Sequence, residues 1–347
     1  MAEQHAPTPG PALPVGPVRW STAMDRALYG PDGFYVLGEG ASGHFHTSVS
    51  GSSTVTELFA AAIGELLDRV DFALGRPDPL DLLDVGAGSG ALLEAVLRSI
   101  GSDLAARTRP TVVERRPRPA DLSPYLTWLD GIPDMTGLLI ANEWLDNVAL
   151  DVVVADVAGN DVVLLVDSAG VETPGHPPTE QESAWLARWW PSGHRREIGS
   201  SRDIAWGTAV SQVHRGLAVT IDYSHVAADR PAYGTLTGFR RGRETAPIPD
   251  GSCDLTAHVA IDSVAAAGVA TGPAYGKVVR TLLTDQRTAL SALGVSGRRP
   301  DYAADPAGYT VALQRASDAA ELIERGGLGA FAWLLQGVDL DPTAILR

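Results

Sequence analysis

The stretch from Leu80 to Leu93, LDLLDVGAGSGALL, constrains this chain more than any other. It opens as an apolar run of strand length and passes through glycines at 86, 88 and 90. It then continues with Leu92, Leu93, Val96, Leu97 and Ile100 at helical spacing. Strand, tight turn and helix follow in that order. Glycines are needed where the turn takes backbone angles that a Cβ forbids and where a ligand approaches the main chain. The first amides of the following helix lack partners and carry positive partial charge, so a carboxylate or phosphate can rest against them.

Two nucleotide-like ligands fit such a turn. Gly86-Ala87-Gly88-Ser89-Gly90-Ala91 satisfies the loose dinucleotide pattern, and Glu114 ends a second apolar strand at roughly the separation of a ribose-binding acid, which suits NAD(P). The sharper features are Asp84, two residues before the first glycine, and the third glycine at 90. An acid beside the loop repels a pyrophosphate but suits the ammonium and sulfonium of S-adenosyl-L-methionine, which is the ligand we favour. A glycine turn that binds nothing is the bland alternative.

The 347 residues suffice for one large α/β domain with additions, or for two domains. A formal charge of -15 argues against a nucleic-acid backbone as partner, because phosphate affinity depends on clustered Lys and Arg. Cys253 is the single cysteine, which excludes an internal disulfide framework and a cysteine-rich zinc site and fits a reducing compartment. No leader pattern and no run of about twenty apolar residues is present, so a soluble, cytoplasmic protein is expected.

In chain order, residues 1–17 are rich in Pro, Gly and Ala and read as a disordered lead. Residues 18–77 read as a helical cap over the cofactor mouth. Within it Ser21 would cap a first helix through Leu28, Phe34-Tyr35-Val36 would be extended, and a long helix would run from about Ser53 to Phe72. His44 and His46, alternate on a polar segment and without nearby acids or cysteines, make a poor metal site, and no metal is expected.

From Pro79 the strand and helix patterns alternate as an open sheet requires, with strands at Thr111–Glu114, Tyr125–Asp130 and Gly137–Ala141. Ligands in such sheets bind outside the carboxyl ends of the strands, which puts the glycine turn, Glu114, Asp130 and the residues after Ala141 on one rim. Those residues are Asn142-Glu143-Trp144-Leu145-Asp146. Two carboxylates three residues apart would share a face on one helical turn. Such a pair can hold a guanidinium and accept the proton it must lose. The bland reading makes Asp146 a helix cap and leaves Glu143 solvated.

Residues 151–172 read as a β-hairpin, followed by helices on which Trp185, Trp189 and Trp190 are core rather than a stacking platform. Leu217–Ile221 is another buried strand, ending in Asp222-Tyr223-Ser224-His225. The stretch Phe239–Arg243 reads as a short basic loop and Asp254–His258 as a capped helix start. Residues 275–293 and 307–323 read as helices, and 329–335 as a last strand.

These segments resemble, in order from about residue 20 to 330, the MidA-like S-adenosylmethionine-dependent methyltransferases, whose mitochondrial members are complex I assembly factors that methylate a protein arginine. The segments that carry the resemblance are Ala27–Pro31, Gly33–Tyr35, Phe45–Ser48, Asp84–Gly90, Ala141–Asp146, Ile221–His225, Thr235–Arg243 and Asp254–Val259. Three positions depart from the family pattern: Val49-Ser50, Asn147-Val148-Ala149 and Gly242.

The resemblance implies a doubly wound, Rossmann-like class I methyltransferase sheet. Its S-adenosylmethionine-binding core would span 78–225, with a substrate-lid insertion at 226–300 and a completing helix and strand at 301–347. Asp84, Gly86, Ala87, Gly88, Gly90, Glu114 and Asp130 would bind cofactor: Asp84 the methionine amine, Glu114 the ribose, Asp130 the adenine. Glu143, Asp146 and Asn142 would be catalytic, and Tyr29, Tyr35, Thr47, Ser48, His225 and His258 would contact a protein or small-molecule acceptor. A homodimer fits this reading. The competitors are an NAD(P)-dependent oxidoreductase and a non-catalytic assembly factor that retains the cofactor pocket.

Overall fold

The computed structural model describes residues 16–36, 53–120 and 122–347. Its largest sheet contains β1 (Leu80–Val85), β2 (Thr108–Val113), β3 (Thr127–Leu129), β4 (Met135–Asn142), β5 (Val213–Asp222), β6 (Val279–Asp285) and β7 (Ala332–Val338). Across the sheet these run β6-β7-β5-β4-β1-β2-β3. Only β7 runs against the rest, pairing antiparallel with both β5 and β6. Every residue of β1 and of β7 is buried, as expected of strands covered on both faces.

Strand periodicity sorts the core into two layers. Leu82, Leu138, Ile140, Leu217 and Val219 face one side, where helices Ser53–Leu74 and Ala91–Ser99 supply Phe59, Ile63, Leu66, Leu93 and Val96. Leu83, Val85, Leu139 and Ala218 face the other, against Trp206 of helix Ser200–Ser211 and Val264 of helix Ile261–Thr271. The long helix therefore flanks the sheet rather than capping the cofactor mouth. Its apolar side is wide enough to cover several strands.

A second, antiparallel sheet joins Val18–Arg19, Asp151–Ala155, Asp161–Val166 and Arg195–Ile198, with Glu172–Pro174 also on 161–166. It too is buried on both faces. Val152, Leu164 and Val166 meet Trp20, Met24 and Leu28 of helix Trp20–Tyr29, while Val153 and Val163 meet Trp185, Leu186 and Trp190. The tryptophans at 185 and 190 are core, as their spacing implied.

Several local expectations are corrected. Ser21 does not cap the first helix: Arg19 holds the N-cap position with no side-chain cap, and the Ser21 N–H donates to Asp151. Residues 34–36 form a turn, because the Phe34 and Tyr35 amides donate back to Ala27 and Leu28. Phe239–Arg243 belongs to a hairpin of Thr237–Arg240 with Arg243–Thr245, and Asp254–Thr256 is a third strand rather than a helix start. Within 275–293 only Gln286–Ala292 is helical, since Val279–Asp285 is strand β6. The last strand begins three residues later than its sequence suggests, after a short 3-10 turn at Leu328–Ala330. No described helix is long and apolar enough to cross a membrane.

Candidate active site

From β1 the chain moves outward through β2 to β3, then returns to the other side of β1 for β4 and β5. The direction of winding reverses between β1 and β4, and a crevice opens at their carboxyl ends. The glycine turn leaves β1 there. Gly86, Gly88 and Gly90 all take positive φ, at 72°, 60° and 81°. Gly86 N–H donates to Val113, Gly90 N–H to Ala87, and Gly90 then precedes helix Ala91–Ser99. Ala87 is half-buried against the first core layer.

Glu114, just past β2, accepts from the Gly88 amide at 2.9 Å and the Arg116 amide at 3.1 Å. It thus joins the turn to the adjacent strand end. Asp130 follows β3 and is exposed; its neighbour Leu129 accepts from the Glu114 amide. Asp84 is 3% exposed, and no described residue donates a hydrogen bond to it. Burial, with Glu114 nearby, pushes its carboxyl up to about 8. A buried acid with no partner of its own fits a ligand ammonium.

The loop after β4 folds directly onto this turn. A Cβ on Gly86 would lie 2.6 Å from the Trp144 ring, so the first glycine is required by protein packing as well as by its φ. Glu143 has φ 52°, a rare conformation for a side chain of its size. Its N–H donates to Ile221 of β5, and its carboxylate accepts from Asn142 at 3.1 Å. The left-handed residue prevents the single helical turn expected for Glu143 and Asp146. Asp146 lies instead in a 3-10 turn, Leu145–Asn147, buried beneath the rim.

Asp146 belongs to a cluster assembled from distant segments. Its Oδ2 accepts from Thr256 at 2.8 Å, while its Oδ1 is buried without a partner among the described residues. Its N–H donates to Asp222 at the end of β5, which also accepts from Thr220 at 2.7 Å. Asn147 donates to Asp254 at 3.0 Å and accepts from the Tyr35 hydroxyl at 3.0 Å. Burial raises all three aspartates, Asp254 to about 7 and Asp222 well above the usual carboxyl range. Beneath them Arg202, 2% exposed, donates to the main-chain carbonyls of Asp146, Val148, Ala257 and His258. This guanidinium ties the β4 loop to the strand that carries Asp254 and Thr256.

Aromatic side chains frame the crevice. Tyr29 stacks on Tyr35 at 5.5 Å, with Arg115 over the Tyr29 ring. Burial raises both phenols, and Asp146 and Asp254 act on each. On the opposite side Tyr223 stacks on His258 and packs against Phe331 at 4.0 Å. Burial raises the Tyr223 phenol and lowers the His258 imidazole. His225 is set apart from this group. Its ring meets Trp190, its Nδ1 meets Arg230 at 2.6 Å, and burial drives it down to about 3.

Thr47 and Ser48, and with them His44, His46 and Val49-Ser50, lie outside the described residues. Read alone, the sequence assigns no role to Trp144, Arg202, Asp254 and Thr256. It places Asp222 and Tyr223 on the rim, because they follow a buried strand whose carboxyl end faces it, without assigning them a role. Asp254 and Thr256 carried no signal once their segment was read as helix.

A doubly wound sheet with an acidic glycine turn and buried carboxylates at its switch point has the geometry of a nucleotide-cofactor site. Residues 63–276 match the sequence profile of the family described as "Putative S-adenosyl-L-methionine-dependent methyltransferase", and the chain belongs to that family. Two crystal structures from Burkholderia thailandensis, assigned to one superfamily, share the fold. One, bound to S-adenosyl-homocysteine, has a TM-score of 0.75 and 24% identity over 94% of this chain and 89% of that one. The other, a native structure, has a TM-score of 0.74 and 23% identity over 95% and 90%. No curated protein matches the sequence. The cofactor is S-adenosylmethionine, and the family match displaces the nicotinamide reading of the turn.

Proposed function

We propose that the enzyme methylates a guanidinium nitrogen of a protein arginine. The observation that carries this reading is the rim carboxylate of Glu143, held on a left-handed backbone close enough to act on the buried Asp222, which in turn accepts from the Asp146 amide. A cationic acceptor suits this concentration of acid, and Glu143 with the Tyr223 ring offers a planar cation both a carboxylate and a π-face. S-adenosylmethionine supplies an electrophilic methyl group when bound. Asp84 and Glu114 hold the cofactor by its amine and ribose, and Asp130 reads the adenine.

The work of the protein is then orientation and proton removal. Glu143 Oε accepts one hydrogen of the guanidinium and aligns the nitrogen, and the same carboxylate takes the proton that the nitrogen loses. Asn142, donating to Glu143, fixes that carboxylate. Within 226–300 the strands Thr237–Arg240, Arg243–Thr245 and Asp254–Thr256 serve as the acceptor-side insertion, because helix Ile261–Thr271 packs on the large sheet and Val279–Asp285 is its strand β6. The buried Cys253 is in keeping with a cytoplasmic enzyme.

Replacing Glu143 with Gln tests the assignment. Calorimetry should give S-adenosylhomocysteine affinity within about twofold of wild type. Labelled-methyl transfer to cell-lysate protein, recovered as methylarginine after hydrolysis, should fall about 10²–10⁴-fold. Label recovered in lysine or in small molecules alone would sink the arginine reading.

A further inference from the structure

Arg115 and Arg116 follow Glu114 directly, just past β2, and both reach toward the segment that carries Tyr29 and Tyr35. They are held very differently. Arg115 donates to Asp25 at 2.6 Å and lies 4.3 Å over the Tyr29 ring. The main chain of Arg116 is as firmly fixed, with its N–H on Glu114 and its carbonyl accepting from the Trp128 indole at 3.0 Å. Its guanidinium is held loosely. Nη1 lies 3.5 Å from the Tyr35 carbonyl oxygen and the group sits 5.9 Å from the Tyr35 ring, both at the outer limit of such contacts.

The Nε of Arg116 is buried and has no hydrogen-bond acceptor among the described residues, an arrangement that costs stability. Glu114 Oε2 lies 3.8 Å from it, too far for a hydrogen bond. At that separation a single oxygen atom fits within about 2.9 Å of both. It must accept from Nε–H and, through its own hydrogen, donate to the carboxylate that already takes the Gly88 and Arg116 amides. A hydroxyl does both, whereas an ammonium only donates and a carboxylate only accepts. A Cβ on Gly88 would come within 3.3 Å of Nη2, so the guanidinium spans the glycine turn between Glu114 and Tyr35.

We propose that Arg116 is a cofactor-binding clasp. Its Nε takes as acceptor the ribose hydroxyl of S-adenosylmethionine that donates to Glu114, and its Nη1 then fastens the turn at Tyr35 against the bound cofactor. The inference rests on Glu114 as the ribose acid, as proposed above, and is independent of the identity of the methyl acceptor. A guanidinium is planar and its donors are rigidly arranged, so filling Nε also fixes the donors that face Tyr35. The effect reaches the acceptor side, because the Tyr35 hydroxyl donates to Asn147 and Asn147 donates to Asp254.

The test uses the full-length enzyme with S-adenosylhomocysteine and its 2′-deoxy and 3′-deoxy analogues, with affinity read by calorimetry. Arg116→Met removes the donors and keeps the apolar stem; Arg116→Lys keeps the charge but not the fork. We expect each variant to bind S-adenosylhomocysteine about tenfold more weakly than wild type. For the analogue that lacks the bridging hydroxyl, wild type and both variants should agree within about twofold. Hydrogen exchange at the Phe34 and Tyr35 amides, which donate to Ala27 and Leu28, should slow when wild type is saturated with S-adenosylhomocysteine. In saturated Arg116→Met it should not.

Full affinity in Arg116→Lys would overturn the clasp in favour of charge alone, and unchanged affinity in both variants would mean that a water serves Nε and Glu114. Slowed exchange in saturated Arg116→Met would also overturn it. Equal weakening of all three ligands by the variants, with both analogues bound less tightly than the parent by wild type, would reject Arg116 and keep Glu114 as the ribose acid. Analogues that wild type binds as tightly as the parent would remove both. The two readings therefore fail in distinguishable ways.

Discussion

The two halves of the crevice are built in different ways. The half proposed to hold the cofactor is local: Asp84, the three glycines and the helix behind them lie within one continuous stretch, and Glu114 joins it from the next strand. The half proposed to hold the acceptor is assembled from the β4 loop, the end of β5, the strand at Asp254–Thr256 and the turn that carries Tyr35. Backbone conformation makes the first half, and buried side-chain contacts make the second. A cofactor shared by many enzymes can be held by a short motif, whereas an acceptor peculiar to one enzyme needs groups gathered from across the chain.

The comparison breaks most completely where the halves touch. Gly86→Val would put a branched side chain at φ 72° and drive its Cβ into Trp144. Strain and overpacking together cost about 2–5 kcal/mol. Cofactor affinity by calorimetry and methyl transfer should both fall by about 100-fold or more, with a lower melting temperature. Loss of one without the other would show that Trp144 does not couple the halves.

Asp84→Asn isolates the cofactor half. Loss of a charge-assisted contact of about 1.5–3 kcal/mol should weaken S-adenosylmethionine about 10–100-fold. The carboxyl is raised to about 8 without ligand, so the ammonium must expel its proton, and cofactor affinity should strengthen as pH rises toward 8. That slope should vanish in the variant. The same raised value works against the folded, unliganded protein: Asp84 contributes stability fully present below about pH 4 and lost as pH rises through 8. At pH 8 the ligand-free Asn variant should therefore melt higher than wild type, and a lower melting point would contradict the raised carboxyl.

Arg202→Lys isolates the acceptor half and should have the smallest effect. A lysine cannot serve four carbonyls on two segments, so the loop that bears Glu143 and Asp146 loosens from Ala257 and His258. Methyl transfer should fall about tenfold with S-adenosylhomocysteine affinity held within about twofold. An equal loss of cofactor binding would mean that the clasp supports both halves.

The same contrast decides what could be read from the sequence. The strands at 80–85, 137–141, 152–155, 162–166 and 217–221 were legible as predominantly apolar runs of strand length, and the glycine turn disclosed its own backbone. β6 was not, because an edge strand with Leu282 and Leu283 beside polar residues suits a helix as well. Asp254 and Arg202 hydrogen-bond to groups more than 50 residues away, and Asp222 reaches the Asp146 amide 76 residues away; no spacing rule carries such distances. Glu143 and Asp146, read from the sequence as a pair on one helical face, are separated by the left-handed backbone at Glu143, since a positive φ at a glutamate has no sequence signature.

One feature of the large sheet bears on how the chain is made. β7 fills the place between β5 and β6, yet it is synthesised last of the seven, with 110 positions separating Asp222 from Ala332. At ordinary translation rates, about 5–20 residues per second, β5 waits on the order of 10 s with an unpaired edge after it leaves the ribosome. β6, whose partner is also β7, cannot occupy its final place in that interval. The cofactor half can therefore be complete on the nascent chain well before the sheet closes, and the open edge of β5 is where chaperones or misplaced strands would compete for it.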